Sequence, residues 1–226
     1  MIEVVFLDFY GTLAHFTPDP ESIQAQACAA EGIGISRESL SIGYPLADTY
    51  MAKENHRRPI WSRSKLEQEQ FFANYQLTLL SGAGVNVSYS KALQIWRRVS
   101  KTSKSLALFD DAIPSLKQLN AESLTVGVIS NMDEVRLQQL LLDLNLVDLI
   151  HSHSTSTSAG YSKPHPEIFK DAMSKVGTKP DKALHVGDDY ESDFKGALGA
   201  GLHALWLNRN APEGHDGSST IRSLAE

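Results

Sequence analysis

The sequence predicts an α/β protein: a doubly wound parallel sheet with a smaller all-α domain inserted into it. Three observations point there. Val4-Val5-Phe6-Leu7 is an unbroken apolar run that ends abruptly in Asp8, the pattern of a strand buried on both faces. From Asp110 onward, apolar runs of strand length alternate with amphipathic helical segments, as the units of a parallel sheet do. Residues 14–105 show helical periodicity without strands, which interrupts that alternation. The expected division is a core domain of 1–13 and 106–226 and a helical lid of 14–105. The two ends of the lid must lie close together, since it is spliced between consecutive core elements.

The elements follow in order. Asp8 stands at the carboxyl end of the first strand, beside a loop in which Gly11 permits a sharp turn and close approach of backbone to a ligand. Open α/β sheets bind ligands at that end. Pro18-Asp19-Pro20 then breaks the chain. A helix starts near Ser22, capped by Asp19 or Ser22, and stops at Gly32 and Gly34. Leu46 to Asn55 reads as a second helix. Ser64 to Leu80 reads as a third, with Leu66, Phe71, Tyr75 and Leu79 near helical spacing. Ser90 to Val99 reads as a fourth, carrying Leu93, Trp96 and Val99. In the core, Ala112 to Asn120 is a short helix with Pro114 in its first turn. Leu124 to Ile129 is a strand ending in Ser130-Asn131, and Asp133 to Leu144 is an amphipathic helix. Leu146 to Ile150 is the next strand, and Ser152 to Ser158 is a polar loop. Pro166 to Val176 is a helix opened by proline. Ala183 to Val186 is a strand running into Gly187-Asp188, Phe194 to Gly199 a short helix, and Leu202 to Leu207 a last strand. From Pro212 the chain is polar, and only Ile221-Arg222-Ser223-Leu224 hints at structure.

Composition narrows the function. The chain has 226 residues, of which 42% are hydrophobic, enough for a real core. A formal net charge of -6 argues against a general affinity for nucleic acid or anionic lipid. Any bound anion must then be held locally, by a metal, a lysine or backbone N–H groups. Cys28 is the single cysteine, so no internal disulfide is expected, which suits a reducing cytoplasm. Cys28 itself falls in an Ala-rich helical pattern and reads as a small core residue. The first strand begins at once, which leaves no room for a signal peptide, and no apolar run is long enough to span a bilayer.

Four short stretches carry a resemblance. Asp8-Phe9-Tyr10-Gly11-Thr12 resembles the first motif of the haloacid dehalogenase (HAD) superfamily, whose phosphatases read Asp-x-Asp-Gly-Thr. Ser130 in VGVISN resembles the second motif. Lys163 in GYSKPHPEIF resembles the third, and Asp188 and Asp193 in HVGDDYESD the fourth. They occur in family order over nearly the whole chain. The resemblance implies a Rossmann-like core with a helical cap inserted after the first motif, which closes over the active site and selects the substrate. It implies a hydrolase, with a Mg²⁺-dependent phosphatase of a small phosphorylated metabolite as the leading expectation. A monomer or homodimer is expected.

What the resemblance implies for each residue agrees with the chemistry. A phosphate monoester repels anionic nucleophiles, so neutralising its oxygens is most of the catalytic task. Asp8 would be the nucleophile, forming an aspartyl-phosphate. Mg²⁺ takes carboxylates, a carbonyl and water, here Asp8, Asp188 and the backbone carbonyl of Tyr10, with Asp193 orienting a metal-bound water or Lys163. Lys163 would offset the charge on Asp8 and the phosphoryl group. The Ser130 hydroxyl and the Asn131 N–H would bond phosphoryl oxygens, and Thr12 would orient the loop or bond Asp8. Taken alone, Ser130 also reads as a helix-entry residue and Thr12 as a hydroxyl satisfying a turn. One of the adjacent pair Asp188-Asp189 should turn to solvent or cap backbone N–H groups. His185 reads as a satisfied core histidine, His151 and His153 as a surface pair, and Arg57, Arg58 and Trp61 as a solvated helix end.

Tyr10 departs from the phosphatase pattern, which has an acid/base Asp at that position. A phenol with a reference pKa near ~10 is a poor water-activating base. Tyr at this position resembles the superfamily's 2-haloacid dehalogenases, whose halide leaving group needs no proton. Their fourth motif, however, resembles Ser-Ser-Asn-x-x-Asp, and clustered carboxylates such as Asp188 and Asp189 are costly without a metal. The dehalogenase is therefore the alternative, with Asp8 attacking carbon, and a ligand-binding member without turnover is a further one.

Overall fold

The computed structural model describes residues 1–103, 105–211 and 219–226, with the side chains of His56 and Trp61 left aside. The chain forms two compact units, Met1–His15 with Leu106–Glu226, and Phe16–Ser105. The polar reading of residues 212–218 lies outside the described residues.

The first unit is a six-stranded parallel sheet whose strands run, from one edge to the other, Ser152–Thr155, Thr125–Ser130, Val4–Leu7, Ala183–Gly187, His203–Leu207 and Thr220–Ile221. Its strands are β1 (Val4–Leu7), β4 (Thr125–Ser130), β5 (Ser152–Thr155), β6 (Ala183–Gly187), β7 (His203–Leu207) and β8 (Thr220–Ile221). The unbroken apolar run of β1 follows from its central place. Val5 and Leu7 pack on one side with Val126, Val128, Leu116 and Leu137. Val4 and Phe6 pack on the other with Ile129, Ile168, Phe169 and Met173. Alternate side chains of a strand point to opposite faces, so both faces demand apolar residues. The covering helices are α5 (Ala112–Ala121), α6 (Glu134–Asp143), α8 (Pro166–Val176) and the short α9 (Gly196–Gly199), with a single turn, α7 (Ser156–Ala159), after β5. Register sets the functional geometry. Leu7 lies opposite Val128 of β4 and Val186 of β6, so Asp8, Ser130 and Asp188 all emerge at one end of the sheet.

The second unit is helical: α1 (Pro20–Ala29), α2 (Arg37–Arg57), α3 (Lys65–Gly82) and α4 (Tyr89–Lys101). Each start is capped. Asp19 accepts from Ser22 N, Ser36 from Ser39 N, and Ser88 from Lys91 N, while Ser64 and Glu67 form a reciprocal capping box. Cys28, Leu40, Ala47, Leu79, Leu80 and Ile95 form its core, and Phe72 stacks on Trp96. Cys28 is fully buried, and burial pushes its thiol pKa up, as suits a core residue. Arg57 and Arg58 pair with Glu54 and Glu67 in solvent. The side chain of Trp61 lies outside the description.

Three expectations are corrected. The chain leaves and re-enters the first unit through a two-stranded ribbon, β2 (Ala14–Thr17) and β3 (Ser105–Leu108), where the sequence shows no strand. Helix α2 begins nine residues before Leu46 and runs through Pro45, because Leu40 and Ala47 on either side of the proline are anchored in the core. Finally, Leu146–Ile150 holds only a helical turn at Val147–Leu149, and the strand is the polar Ser152–Thr155 instead. It is the edge strand beside β4, and its hydroxyls are satisfied: Ser154 Oγ donates to Asp171 and Thr155 Oγ1 to Glu134. Hydroxyls so bonded can be buried at little cost.

Candidate active site

Asp8 leaves β1 with its backbone N–H donating to the Val186 carbonyl at 2.9 Å, which ties the first loop to β6. Gly11 follows with φ of 84°, and any side chain there would collide with the Asp188 carboxylate. Only glycine satisfies both the left-handed backbone and the close approach. The carboxylate oxygens of Asp8, Asp188 and Asp193 come within 4.8 Å of one another.

A buried lysine holds this cluster together. Lys163 Nζ donates to Asp8 Oδ1 at 2.6 Å, to Asp193 Oδ1 at 2.5 Å and to the Ile129 carbonyl at 2.8 Å, so its three protons are all used. The backbone of Lys163 is fixed in turn by Asn131. Its Oδ1 accepts from Lys163 N at 2.6 Å and its Nδ2 donates to the Lys163 carbonyl at 3.0 Å. Asp193 also bonds His185 Nε2 at 2.8 Å and accepts from Asp189 N at 3.1 Å.

The charges do not cancel. Three carboxylates face one lysine, and Asp8, Asp193 and Lys163 are buried. Burial raises the Asp8 pKa to about 7; Lys163 opposes the rise and Asp193 adds to it. Asp188 is raised to about 8, by the protein packed around it and then by Asp8 and Asp193, although its residue is exposed at the rim. Asp193 behaves oppositely: burial would raise it, but Lys163 and His185 outweigh burial and hold it below the usual range. Lys163 is likewise raised, its two carboxylates outweighing burial. Burial lowers His185.

A buried carboxylate beside a lysine at the carboxyl ends of parallel strands lies where open α/β sheets bind their ligands, and similarity to known proteins gives the family. A family model described as haloacid dehalogenase-like hydrolase matches residues 2–201. The chain belongs to this family. It is 29% identical over 208 residues to the human haloacid dehalogenase-like hydrolase domain-containing protein 3, covering 90% of this chain and 81% of that one. A glyceraldehyde 3-phosphate phosphatase of Methanopyrus kandleri is 32% identical over 101 residues, 45% of this chain and 43% of that one. The magnesium-bound HAD hydrolase YfnB of Bacillus subtilis shares the fold, with a TM-score of 0.65, 16% identity and coverage of 99% and 96%.

In this HAD-like hydrolase Asp8, Asp188, Asp193 and Lys163 come together with Thr12 and Asn131 beside them, and several contacts differ from those anticipated from sequence. Thr12 Oγ1 donates to Asp188 at 3.5 Å, a long contact, and its recorded partner is not Asp8. Asn131 works through its side chain on the Lys163 backbone. Ser130 ends β4 and is buried. Asp189 turns from the cluster and accepts from Ser192 N at 2.6 Å. The phenol of Tyr10 is raised above its ordinary value by burial, against the opposing Arg136 guanidinium. His151 accepts from Val126 N, and His153 pairs with Glu134.

One contributor escaped the sequence reading. Arg209 Nη2 donates to the Thr12 carbonyl at 2.8 Å and Nε to the Gly11 carbonyl at 3.4 Å. The same guanidinium grips Asp111 at 2.8 and 3.0 Å and lies 3.8 Å over the Phe109 ring. Asp111 also accepts from Ser223 Oγ and Leu224 N, each at 2.9 Å. The only prior signal was an arginine two residues after a strand that ends on the functional side of the sheet.

The donor set fits a hard divalent cation. All three carboxylates offer oxygen, which is what Mg²⁺ takes, and beyond burial the neighbouring carboxylates add to the raised pKa values of Asp8 and Asp188, a repulsion that a dication would relieve. A pH dependence follows. Folded-state pKa values of about 7 and about 8 lie above the ordinary 3.8 of Asp. Through that interval the native state holds protons that the unfolded chain has released, so stability falls as pH rises. In chelator, the contribution of these two groups is expected to lower the urea midpoint between about pH 5 and about pH 8, and Mg²⁺ is expected to flatten the slope. Comparing wild type with Asp188→Asn in chelator isolates the term: the variant should lose less stability over that range. An identical slope in both would contradict it.

Proposed function

We propose that this hydrolase is a Mg²⁺-dependent phosphatase acting on a small phosphate monoester, a phosphorylated metabolite, through an aspartyl-phosphate on Asp8. The carrying observation is the carboxylate cluster: Asp188 set against Asp8 across a glycine, with one lysine for three acids. Asp8, Asp188 and the Tyr10 carbonyl would hold Mg²⁺, with Asp193 fixing Lys163 beside them. The bound ion would neutralise phosphoryl oxygens and so admit an anionic nucleophile.

The chain's own residues carry the rest. A carboxylate oxygen of Asp8 attacks phosphorus, an O–P bond forms, and the ester O–P bond breaks with its electron pair leaving on the alkoxide. Lys163 keeps Asp8 oriented and offsets the charge of the transferred group. The Ser130 hydroxyl at the end of β4 is a donor for a phosphoryl oxygen. Water then opens the aspartyl-phosphate. The glyceraldehyde 3-phosphate phosphatases among the similar proteins support this reading, and the buried single cysteine suits a reducing compartment such as the cytoplasm.

A screen of phosphorylated metabolites tests it. Phosphate release is expected in Mg²⁺ and lost in chelator; no release from any ester in Mg²⁺ would overturn the reading. Tyr10 favours a second reading, a metal-independent 2-haloacid dehalogenase, which halide release from 2-chloropropionate in chelator would support. Tyr10 also yields a sharper prediction. A phenol whose pKa is raised is a weak acid and, being protonated, a poor base, so alkyl phosphates, whose alkoxide needs a proton, should turn over slowly. Tyr10→Asp is expected to raise their turnover by about 10²-fold, the usual contribution of a placed acid/base, with much less change for p-nitrophenyl phosphate. An equal change for both esters would show that proton transfer does not limit the rate.

A further inference from the structure

The helical unit holds a cavity of its own, and its chemistry differs wholly from that of the carboxylate cluster. Its volume is about 320 Å³, and among the described residues eleven side chains line it. None of the eleven is charged, which excludes a phosphate or other ion as its preferred occupant. The lining is mostly aromatic and aliphatic, and two of its members, Phe72 and Trp96, stack at 3.9 Å with ring planes 11° apart. A dry cavity of roughly 150 Å³ takes a benzene ring, so this one has room for two fused rings.

Its polar content is small and mostly spent. Tyr75 OH donates to Asp48 at 2.7 Å and Tyr44 OH to the Pro20 carbonyl at 3.0 Å. Gln24 and Gln76 both line the cavity at 1% exposure, and they face each other. Gln24 Nε2 donates to Gln76 Oε1 at 2.7 Å, and Gln76 Nε2 donates to Gln24 Oε1 at 3.1 Å. Gln24 gives its other amide proton to Cys28 Sγ at 3.5 Å. Gln76 has a second amide proton with no partner among the described residues. A buried donor left unmade is costly, and a ligand acceptor would satisfy it.

We propose that this cavity is a binding site for a neutral, flat, bicyclic aromatic molecule carrying one hydrogen-bond acceptor for the Gln76 amide. The rings lie along the Phe72–Trp96 wall, and the acceptor meets Gln76. The site stands on residues of the helical unit alone and is independent of the phosphatase reading.

Calorimetric titration of the full chain with 2-quinolinone, a neutral bicyclic lactam, tests the proposal, with naphthalene as the matched apolar control. Saturable one-to-one binding of 2-quinolinone is expected. Val99→Phe, which fills the cavity, should abolish it. Gln24→Leu with Gln76→Leu removes both amides together and so strands neither; it should weaken 2-quinolinone about tenfold, the loss of one hydrogen bond, and leave naphthalene unweakened. Asp8→Asn should bind as wild type does, so failure of the phosphatase reading would not touch this one. Absence of saturable binding, binding that survives Val99→Phe, or equal losses for both ligands in the double variant would each overturn it. Thermal melts of each variant identify any that fail to fold, and the wild-type comparison of the two ligands stands without them: 2-quinolinone binding no tighter than naphthalene refutes the acceptor.

Discussion

Asp8→Asn is expected to cut phosphate release by at least about 10³-fold, upward of about 4 kcal/mol of barrier. The amide has nearly the shape of the carboxylate, and its oxygen can still accept from Lys163 Nζ, now 2.6 Å from Asp8 Oδ1. Lys163 also keeps Asp193 and the Ile129 carbonyl. The fold should therefore survive while the nucleophile is lost. Losing a carboxylate whose pKa is raised to about 7 also relieves repulsion on Asp188, so in chelator the variant should be no less stable than wild type near neutral pH. Phosphate release under Mg²⁺ checks the first part and urea unfolding the second. Retention of more than about 1% of wild-type turnover would remove Asp8 from the nucleophile's role.

Lys163→Met should produce the largest loss of stability, about 3–5 kcal/mol in chelator, the usual consequence of stripping the partner from a buried ion pair. Methionine fills much of the lysine stem's volume, so packing changes little. What remains is Asp8 and Asp193, both buried and facing each other without a cation, and an Ile129 carbonyl without its donor. Both acids are then pushed toward the neutral form. His185 stays on Asp193 at 2.8 Å, a partial substitute only, because burial disfavours its charged form. Added Mg²⁺ should recover part of the loss. A decrease under about 1 kcal/mol by urea unfolding would show that the cluster does not depend on this cation.

What could be read in advance depended on how locally each feature is encoded. The central strand declared itself because burial on two faces leaves no polar position among Val4, Val5, Phe6 and Leu7. The motif residues were found because their order along the chain resembles a family, and the parallel register then brought Asp8, Ser130 and Asp188 to one rim. Ser152–Thr155 was opaque for the opposite reason. Its hydroxyls look like a loop until Asp171 and Glu134, remote in sequence, are seen to accept from them. Asn131 was anticipated at the site, but its grip on the Lys163 backbone depends on a turn that spacing does not encode. Arg209 had only its place after a strand to signal it, because it acts on two carbonyl groups, which leave no trace in residue identity.

Arg209 carries a consequence for handling the protein. Through Asp111 it couples Gly11 and Thr12 to Ser223 and Leu224, so the turn after Asp8 is buttressed by the last few residues described. A tag or trim that disturbs Ser223 or Leu224 would loosen the turn that follows Asp8, some two hundred residues away in sequence.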